Sequence, residues 1–294
     1  MTGPATMAAQ PPQGQISSIR VGLIGAGIGA SRTPRMHMDA ARALGLVLDY
    51  TLVDADELAG APGIAALLDK VEADGFAGVN ITFPFKRAAL AHVDTVAPSA
   101  EAVGATNTIV FRDGRRYAHN TDYSGFAEGF RRGITDRPCD HVLLLGAGGA
   151  GGAVANALLD NGVKRLFIHD TQADAATALV ASIAARLGTG RASVATELRT
   201  ACAAADGIVN ATPVGMAKLP GTPLEPALIE SRHWVCDIVY FPLETALLAQ
   251  ARAKGCHTID GSGMAVFQAV AAFELFTGAH PDPAQMRASF DSFT

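Results

Sequence analysis

The sequence has few cysteines, few aromatic residues and no long apolar run, and each scarcity excludes a class of protein. Four cysteines stand far apart, at positions 139, 202, 236 and 256. They are too sparse for a disulfide framework and form no Cys-x-x-Cys metal motif, so we predict reduced thiols and no metal site. The longest uncharged stretch, 142–159, is interrupted by glycines and makes a poor membrane span. A net charge of −5 without long Lys/Arg runs argues against nucleic-acid binding.

Glycine and apolar residues are plentiful instead. The 294 residues include 31 glycines and are 49% hydrophobic, which is ample for a large core. Short apolar runs alternate with helical patterns, most regularly from His141 onward, and this alternation predicts an α/β fold with a parallel sheet. The Pro- and Gln-containing start, 1–15, lacks the apolar core of a signal peptide. We expect a disordered leader and a cytoplasmic protein that does not contact membranes.

The order of the patterns predicts two α/β domains followed by a helical C-terminus at 262–279 and 282–293. In the first half, Asp113-Gly114 separates two strand patterns and is a strong hairpin signal. A short helix is expected to begin at Lys86, after the strand pattern at 75–84. We place the domain boundary near 122–140, where 131–140 has the composition of a turn-rich linker.

Two glycine-rich motifs follow strand patterns. Gly146–Gly151 matches G-x-G-x-x-G, leads into a helical pattern, and is followed by a second strand that ends before Asp170. This is the arrangement of a dinucleotide site, in which the helix N-terminus faces the pyrophosphate and an acid holds the ribose. Gly25–Ala30 matches G-x-G-x-x-A, but Pro34 interrupts the helix that such a site needs. We therefore predict a loop with another role there.

Asp170 also bears on the choice of cofactor. Its carboxylate would accept hydrogen bonds from the ribose hydroxyls of NAD and repel the 2′-phosphate of NADP. The residues that follow it, 171–174, include no Lys or Arg that would hold such a phosphate. We predict a preference for NAD over NADP.

Polar residues follow several strand patterns of the first half. Asn80 and Thr82 fall on one side of a strand by its two-residue alternation. Lys86 follows a proline turn and would ordinarily be a surface charge. Asn107 and Asp122 would ordinarily be turn or helix N-cap residues.

Taken together, the motifs resemble those of the shikimate dehydrogenases. The resemblance runs in order over nearly the whole chain after the leader, as Ser-x-Thr at 31–33, N-I-T-x-P-x-K at 80–86, G-A-x-N-T at 104–108, N-T-D-x-x-G at 120–125, G-A-G-G-A-G at 146–151, N-A-T-P-x-G-M at 210–216 and G-x-x-M-x-x-x-Q-A at 261–269. It implies an oxidoreductase that interconverts shikimate and 3-dehydroshikimate. Lys86 and Asp122 would be its catalytic pair, since oxidising an alcohol by hydride transfer requires removal of its proton.

The resemblance also implies the binding residues. Ser31 and Thr33 would bind the substrate carboxylate, and the ring hydroxyls would be held by Asn80, Thr82, Asn107 and Gln268. Gln268 belongs to the C-terminal helices, which we therefore expect to fold back on the first domain. The predicted domains are a substrate domain (16–122 plus 262–294) and a Rossmann-type NAD-binding domain (123–261).

The cofactor is expected to contact both ends of the second domain. The residues so implied are Gly146, Ala147, Gly148, Gly149, Ala150, Asp170, Thr212, Pro213, Val214, Met216, Ile238, Gly261 and Met264. Met216 and Met264 could instead be ordinary core residues.

Two positions depart from the common biosynthetic pattern. His169-Asp170-Thr171 replaces the Asn-Arg-Ser/Thr that grips a 2′-phosphate, and Thr33 replaces a serine. Both changes resemble the NAD-dependent quinate/shikimate dehydrogenases, and Thr33 is expected to leave room for the additional hydroxyl of quinate. Quinate would be converted to 3-dehydroquinate.

Two alternatives to this function stay open: a dehydrogenase of aminoshikimate or another hydroaromatic acid, and a non-catalytic NAD or metabolite sensor. The chain is expected to be a monomer or a homodimer.

Overall fold

The computed structural model describes residues 18–60 and 62–292. The expected leader, 1–15, lies outside these residues, as do positions 16, 17, 61, 293 and 294. Within the described ranges the strands form two six-stranded sheets, with helices packed around each. The predicted α/β fold class is confirmed.

The first sheet is mixed and has the order β2-β1-β3-β5-β6-β4. Its strands are β1 (Ile19–Gly25), β2 (Leu48–Asp54), β3 (Gly78–Ile81), β4 (Thr95–Val96), β5 (Thr108–Arg112) and β6 (Arg115–His119). β1 pairs in parallel with β2 and β3, whereas β5 runs antiparallel to β3 and β6. Asp113 and Gly114 join β5 to β6 with φ of 52° and 67°. Both values are positive, as a type I′ hairpin turn requires, so the predicted hairpin is confirmed.

The second sheet is entirely parallel and has the order β12-β11-β10-β7-β8-β9. Its strands are β7 (His141–Leu145), β8 (Arg165–His169), β9 (Ala192–Val194), β10 (Gly207–Asn210), β11 (Trp234–Asp237) and β12 (His257–Ile259). This is the Rossmann order, whose direction reverses between β7 and β10. Ligands of such sheets bind in that crevice, beyond the carboxyl ends of the strands. The loops that follow β7, β8, β10 and β11 therefore meet at one edge.

Helices cover both sheets. They are α1 (Thr33–Ala43), α2 (Ile64–Ala73), α3 (Pro98–Val103), α4 (Thr121–Gly133), α5 (Gly149–Asp160), α6 (Ala173–Leu187), α7 (Leu198–Ala204), α8 (Ala246–Ala253), α9 (Ser262–Thr277) and α10 (Pro283–Asp291). Short 3-10 helices lie at Ala55–Glu57, Ala88–His92 and Pro226–Leu228. In the described chain, none of the helices is both long and apolar enough to cross a membrane.

Two local predictions are corrected. The helix expected to begin at Lys86 is a 3-10 helix that begins at Ala88, so Lys86 lies in the preceding turn. The proposed linker loses its first three residues, 131–133, to α4, which continues as far as Gly133. The short elements β4 and α3 were not predicted, because six or fewer residues give too little periodicity to recognise.

α4 connects the two halves of the molecule, and α9 crosses it at two glycines. A Cβ at Gly125 would lie 2.5 Å from the backbone nitrogen of Gln268, and one at Gly129 would lie 3.0 Å from Gly263. α9 also contacts α1, α10 and β5, while α4 contacts α5. The C-terminal helices thus fold back on the first half as expected. The domain limits at 122 and 262 stay predictions.

His37 is a polar side chain in the core of the first half. Its ring is fully buried against the rings of Tyr50, Phe273 and Phe276, and neither ring nitrogen meets a hydrogen-bond partner among the described residues. Desolvation lowers the pKa of His37 from 6.5 to about 3. The native state therefore holds this imidazole neutral at pH values where the unfolded chain binds a proton.

We expect this histidine to make stability depend on pH. Its contribution is complete above pH 6.5 and is lost progressively as the pH falls towards about 3, a difference of about 5 kcal/mol across that window. Urea unfolding of the His37→Leu variant at pH 7 and pH 4.5 should show a shallower pH dependence than wild type. The exposed His280 gives a matched control, His280→Gln, which should keep the wild-type slope. An unchanged slope in His37→Leu would contradict the assignment.

Candidate active site

A lysine–carboxylate pair lies between the two sheets. Lys86 Nζ is 2.6 Å from Asp122 Oδ2, and the side chains are 23% and 12% exposed. The pair is thus sheltered from bulk water and still reachable by a ligand. Asp122 is not the helix cap, because Asn120 caps α4 by accepting a hydrogen bond from Tyr123 N at 3.0 Å. The Asp122 carboxylate is therefore available to Lys86 in a charge-assisted hydrogen bond.

The turn after β3 places Lys86 where the two halves meet. Phe85 N donates to Thr82 O at 2.9 Å, and the Lys86 carbonyl accepts from Thr106 N at 2.8 Å. The Lys86 side chain then passes the first residue of α5, since a Cβ at Gly149 would lie 3.9 Å from Lys86 Cδ. The amine therefore lies beside the second glycine-rich loop, although it comes from the first half of the chain.

Asn80 and Asn107 belong to a buried polar network beneath the pair. Asn80 Oδ1 accepts from Tyr50 Oη at 2.8 Å, and its Nδ2 donates to Thr108 Oγ1 at 3.0 Å. Asn107 Oδ1 accepts from Thr121 N at 2.6 Å, and its Nδ2 donates to Thr121 Oγ1 at 2.9 Å. The network links β3, β5 and the first residue of α4. The network therefore fixes the first turn of α4, which carries the Asp122 carboxylate.

The first glycine-rich loop carries Ser31 and Thr33, both half-buried. Ser31 N donates to Ile28 O at 2.9 Å, and α1 begins at Thr33, well past the glycines, as predicted. The loop packs directly on Thr82, because a Cβ at Gly25 would lie 2.2 Å from the Thr82 methyl group. Thr82 therefore lies against the start of the loop that leads to Ser31 and Thr33.

Gln268 reaches the same region from α9. Its backbone packs on Gly125, three residues after Asp122 on α4. The half-buried side chain donates to the Ala265 carbonyl at 3.1 Å. The structure therefore brings the last of the predicted substrate residues to the helix that bears Asp122.

Tyr240 was missed as a site residue by the sequence analysis. It follows β11 and lies close enough to Lys86, Asp122 and Arg32 for their charges to act on its phenol. Desolvation is the main cause that raises the pKa of Tyr240; the charges of Lys86 and Arg32 oppose this shift, and the Asp122 carboxylate adds to it. Its position just after the carboxyl end of a parallel strand was the available signal.

The second glycine-rich loop has the geometry of a dinucleotide motif. Gly146 has φ of +100°, and a Cβ there would lie 2.8 Å from the Ala211 backbone. A Cβ at Gly151 would lie 2.1 Å from Gly146 O, so α5 packs tightly on the turn. Gly148 caps α5, and no described atom lies within 4 Å of its Cβ position. The N-terminus of α5 is thereby left open to a phosphate-bearing ligand.

Asp170 lies at the carboxyl end of β8, as predicted. Its Oδ2 accepts from Ala147 N at 2.7 Å, and its Oδ1 accepts from Gln172 N at 2.8 Å. Each carboxylate oxygen can accept a further hydrogen bond. The acid is thus tied to the glycine-rich loop and half-exposed beside it.

A buried carboxylate orders the loop after β10. Asp237 Oδ1 accepts from Asn210 Nδ2 at 2.9 Å and from Val239 N at 3.0 Å, and its Oδ2 accepts from Thr245 Oγ1 at 2.8 Å. Desolvation raises the pKa of Asp237 and outweighs these hydrogen bonds. Asn210 Oδ1 in turn accepts from Thr212 Oγ1 at 2.7 Å. The predicted cofactor loop, which also holds Pro213, Val214 and Met216, is therefore anchored at its start.

The apolar cofactor candidates have different surroundings. Met216 is 41% exposed, so the alternative that it is a core residue is wrong. Met264 is half-buried and packs against the core of the second half. Gly261 approaches the chain after β11 closely, since its Cβ would lie 2.5 Å from the carbonyl oxygen of Ile238. Ile238, Gly261 and Met264 line one small cavity at the start of α9.

Other kinds of centre find no support in the described residues. They contain no cluster of three or more His, Cys, Asp or Glu side chains able to hold a metal ion. The four cysteines are free thiols, three of them buried.

Comparison with known proteins agrees with this geometry. A model of the shikimate dehydrogenase substrate binding domain matches residues 23–109, and a model of the shikimate 5′-dehydrogenase C-terminal domain matches residues 261–289. The shikimate dehydrogenase (NADP(+)) of Streptomyces avermitilis is 50% identical over 92% of this chain and 94% of its own. The quinate/shikimate dehydrogenase (NAD(+)) of Corynebacterium efficiens is 45% identical over 93% and 98%.

A solved structure extends the similarity to the fold. Quinate dehydrogenase from Corynebacterium glutamicum in complex with NAD superposes with a TM-score of 0.90 at 43% identity, covering 94% of this chain and 99% of that one. The chain belongs to the shikimate dehydrogenase family.

Proposed function

We propose that this protein is an NAD-dependent dehydrogenase that interconverts shikimate with 3-dehydroshikimate and quinate with 3-dehydroquinate. The observation that carries the proposal is the position of Lys86, paired with Asp122, beside the first residue of α5: a Cβ at Gly149 would lie 3.9 Å from Lys86 Cδ. A proton acceptor for an alcohol and an opening for a dinucleotide thus lie side by side. That juxtaposition is what oxidation of a hydroxyl group by hydride transfer requires.

The residues at the glycine-rich loop fit a nicotinamide dinucleotide. The open space at Gly148, the tight packing at Gly151 and the acid at the end of β8 are the three features of such a site. When bound, the cofactor supplies the hydride acceptor. Its pyrophosphate would be held by the amides at the start of α5, and its ribose by Asp170.

The chain's own residues move the proton and orient the substrate. As the ring carbon loses its hydride, the hydroxyl proton passes to the amine of Lys86, and the resulting ammonium is stabilised by Asp122. The substrate is a hydroaromatic carboxylic acid, with its carboxylate at Ser31 and Thr33. Thr82, Gln268 and the two asparagines of the buried network would fix the ring hydroxyls.

The preference for NAD rests on Asp170. Its negative charge disfavours a 2′-phosphate, and no Lys or Arg occurs at 171–174 to offset it. Relatives named for either cofactor reach similar identity, as the Streptomyces and Corynebacterium enzymes illustrate, so their names do not decide the matter. Quinate as a second substrate is supported by the relatives named for it and by Thr33.

Replacing Asp170 by asparagine should shift the cofactor preference. The variant loses a charge-assisted hydrogen bond to the ribose and removes the repulsion of the 2′-phosphate. We expect kcat/KM for NAD to fall about tenfold and the ratio of NAD to NADP efficiency to fall about a hundredfold. Asp174→Asn, at an exposed position four residues later, should leave the ratio unchanged. Equal ratios in wild type and Asp170→Asn would contradict the role of this carboxylate.

Formation of NADH by the purified protein tests the proposed reaction. Turnover of both shikimate and quinate with NAD supports it. Turnover of shikimate with no turnover of quinate would remove quinate as a substrate. Failure with both acids would overturn the proposal.

A further inference from the structure

Asp54, at the end of β2, holds the first glycine-rich loop through its carboxylate. Its Oδ1 accepts from Gly27 N at 2.9 Å, and its Oδ2 accepts from Ile28 N at 2.8 Å. The side chain is buried in the sheet edge. Each carboxylate oxygen is therefore bonded to an amide of a loop that lies 26 or 27 residues earlier in the chain.

A purely local role does not account for this geometry. Asp54 also accepts from Asp56 N at 3.2 Å, as the N-cap of the short 3-10 helix that follows β2. The two bonds to the distant loop are shorter than this capping bond. The hydrogen bond from Ile28 is also the largest cause of the lowered pKa of Asp54. The interaction with the loop is thus the dominant one.

One further hydrogen bond connects the loop that Asp54 holds with the proposed substrate-binding residues. Ile28 O accepts the bond from Ser31 N at 2.9 Å, and Thr33 begins α1 two residues later. On the other side of the loop, Ala26 N donates to Phe83 O at 2.9 Å, in the turn that leads to Lys86. The loop is fixed between β2 and the turn that carries the lysine.

The acid beside the second glycine-rich loop is bonded differently from Asp54. There Asp170 accepts one amide from its glycine-rich loop, Ala147 N, at the position where a dinucleotide motif keeps an acid for the ribose. In the first half, both Asp54 oxygens are bonded to the glycine-rich loop itself. The first motif thus uses its acid to order a loop.

We propose that Asp54 is a positioning residue for substrate binding: by holding the Gly27 and Ile28 amides, it sets the hydroxyls of Ser31 and Thr33 where the substrate carboxylate binds. The inference rests on the proposed function in one respect, the carboxylate-binding role of Ser31 and Thr33. Asp54 itself does not touch the substrate.

Steady-state kinetics of Asp54→Ala and Asp54→Asn test the proposal. KM for shikimate should rise about tenfold or more in Asp54→Ala and less in Asp54→Asn, which keeps one acceptor oxygen. Because the carboxylate is bound alike in the ground and transition states, kcat should stay within about twofold. KM for NAD should not change. Asp49→Asn, an exposed position on the same strand, is the matched control and should behave as wild type.

The methyl ester of shikimate separates positioning from general damage. In wild type the ester should bind more weakly than the acid, and in Asp54→Ala the difference between ester and acid should shrink, because the misplaced loop no longer recognises the carboxylate. An ester penalty as large as that of wild type would overturn the proposal. So would equal losses in kcat, KM for shikimate and KM for NAD.

Amide hydrogen exchange gives a readout that does not depend on turnover. Segment 26–33 should exchange faster in Asp54→Ala than in Asp49→Asn, while β7 to β12 exchange as in wild type. Unchanged exchange in that segment would overturn the proposal. If the wild-type protein failed to oxidise shikimate, the proposed function would fall, and this exchange comparison would still decide whether Asp54 orders the loop.

Discussion

Lys86→Met should lower kcat for shikimate oxidation by about a thousandfold while leaving the protein folded. Methionine keeps the length of the side chain and removes the amine that accepts the hydroxyl proton. Positioned acid–base groups contribute about 10²–10⁴-fold to rate, and Lys86 is the amine that pairs with Asp122 at 2.6 Å. Stopped-flow measurement of NADH formation, alongside a thermal melt, gives both quantities.

Asp122→Asn and the double variant show whether the pair acts as a unit. If Asp122 serves through Lys86, the double variant should lose about as much kcat as Lys86→Met alone, not the product of both losses. Lys70 and Asp74 form a matched control, an exposed ion pair of 2.8 Å on the surface of the first half. Lys70→Met should keep the wild-type kcat. A Lys86→Met protein within tenfold of wild type would remove the lysine from the chemistry.

The second large effect is expected at Gly151, whose hydrogen faces the backbone of the turn. An added methyl group would lie 2.1 Å from Gly146 O, and a backbone oxygen in a tight turn cannot move aside cheaply. We expect Gly151→Ala to lower the free energy of unfolding by about 3 kcal/mol or more, with loss of NAD binding. Urea denaturation followed by circular dichroism measures the first quantity, and calorimetric titration with NAD the second.

Gly148→Ala is the matched change in the same loop. Its backbone is extended, with φ of −73°, and no described atom lies within 4 Å of the new methyl group. Stability should therefore stay within about 1 kcal/mol of wild type. KM for NAD should nevertheless rise about tenfold, because the methyl group occupies the approach to the α5 amides. Normal stability in Gly151→Ala, or unchanged NAD binding in Gly148→Ala, would contradict this account of the loop.

Local signals in the sequence were sufficient for the fold class and for the composition of the candidate site. The hairpin at Asp113-Gly114 follows from two residues that tolerate positive φ. The second glycine motif is specified by the strand before it, the helix within it and the acid after it. The order of the motifs identified the family, since a set of short signals in a fixed order is far more specific than any one of them.

Local patterns in the sequence did not predict which side chains from distant segments form hydrogen bonds or ion pairs with one another. By pattern Asp122 was a candidate helix cap, and only the structure shows that Asn120 caps α4 while Asp122 pairs with Lys86. No local pattern connects Asp54 with a loop 26 residues earlier, and its bonds to Gly27 and Ile28 are visible only in the structure. Tyr240 comes from the second half, and no local pattern connects it with the lysine.

The most direct test of the central claim compares kcat/KM for NAD and NADP at saturating shikimate and then at saturating quinate, followed through the absorbance of the reduced cofactor. The account predicts turnover of both acids with NAD and at least about tenfold lower efficiency with NADP. Turnover with NADP alone would keep the family and the lysine–carboxylate chemistry but contradict the role of Asp170. No turnover in any of the four combinations would contradict the proposed reaction itself.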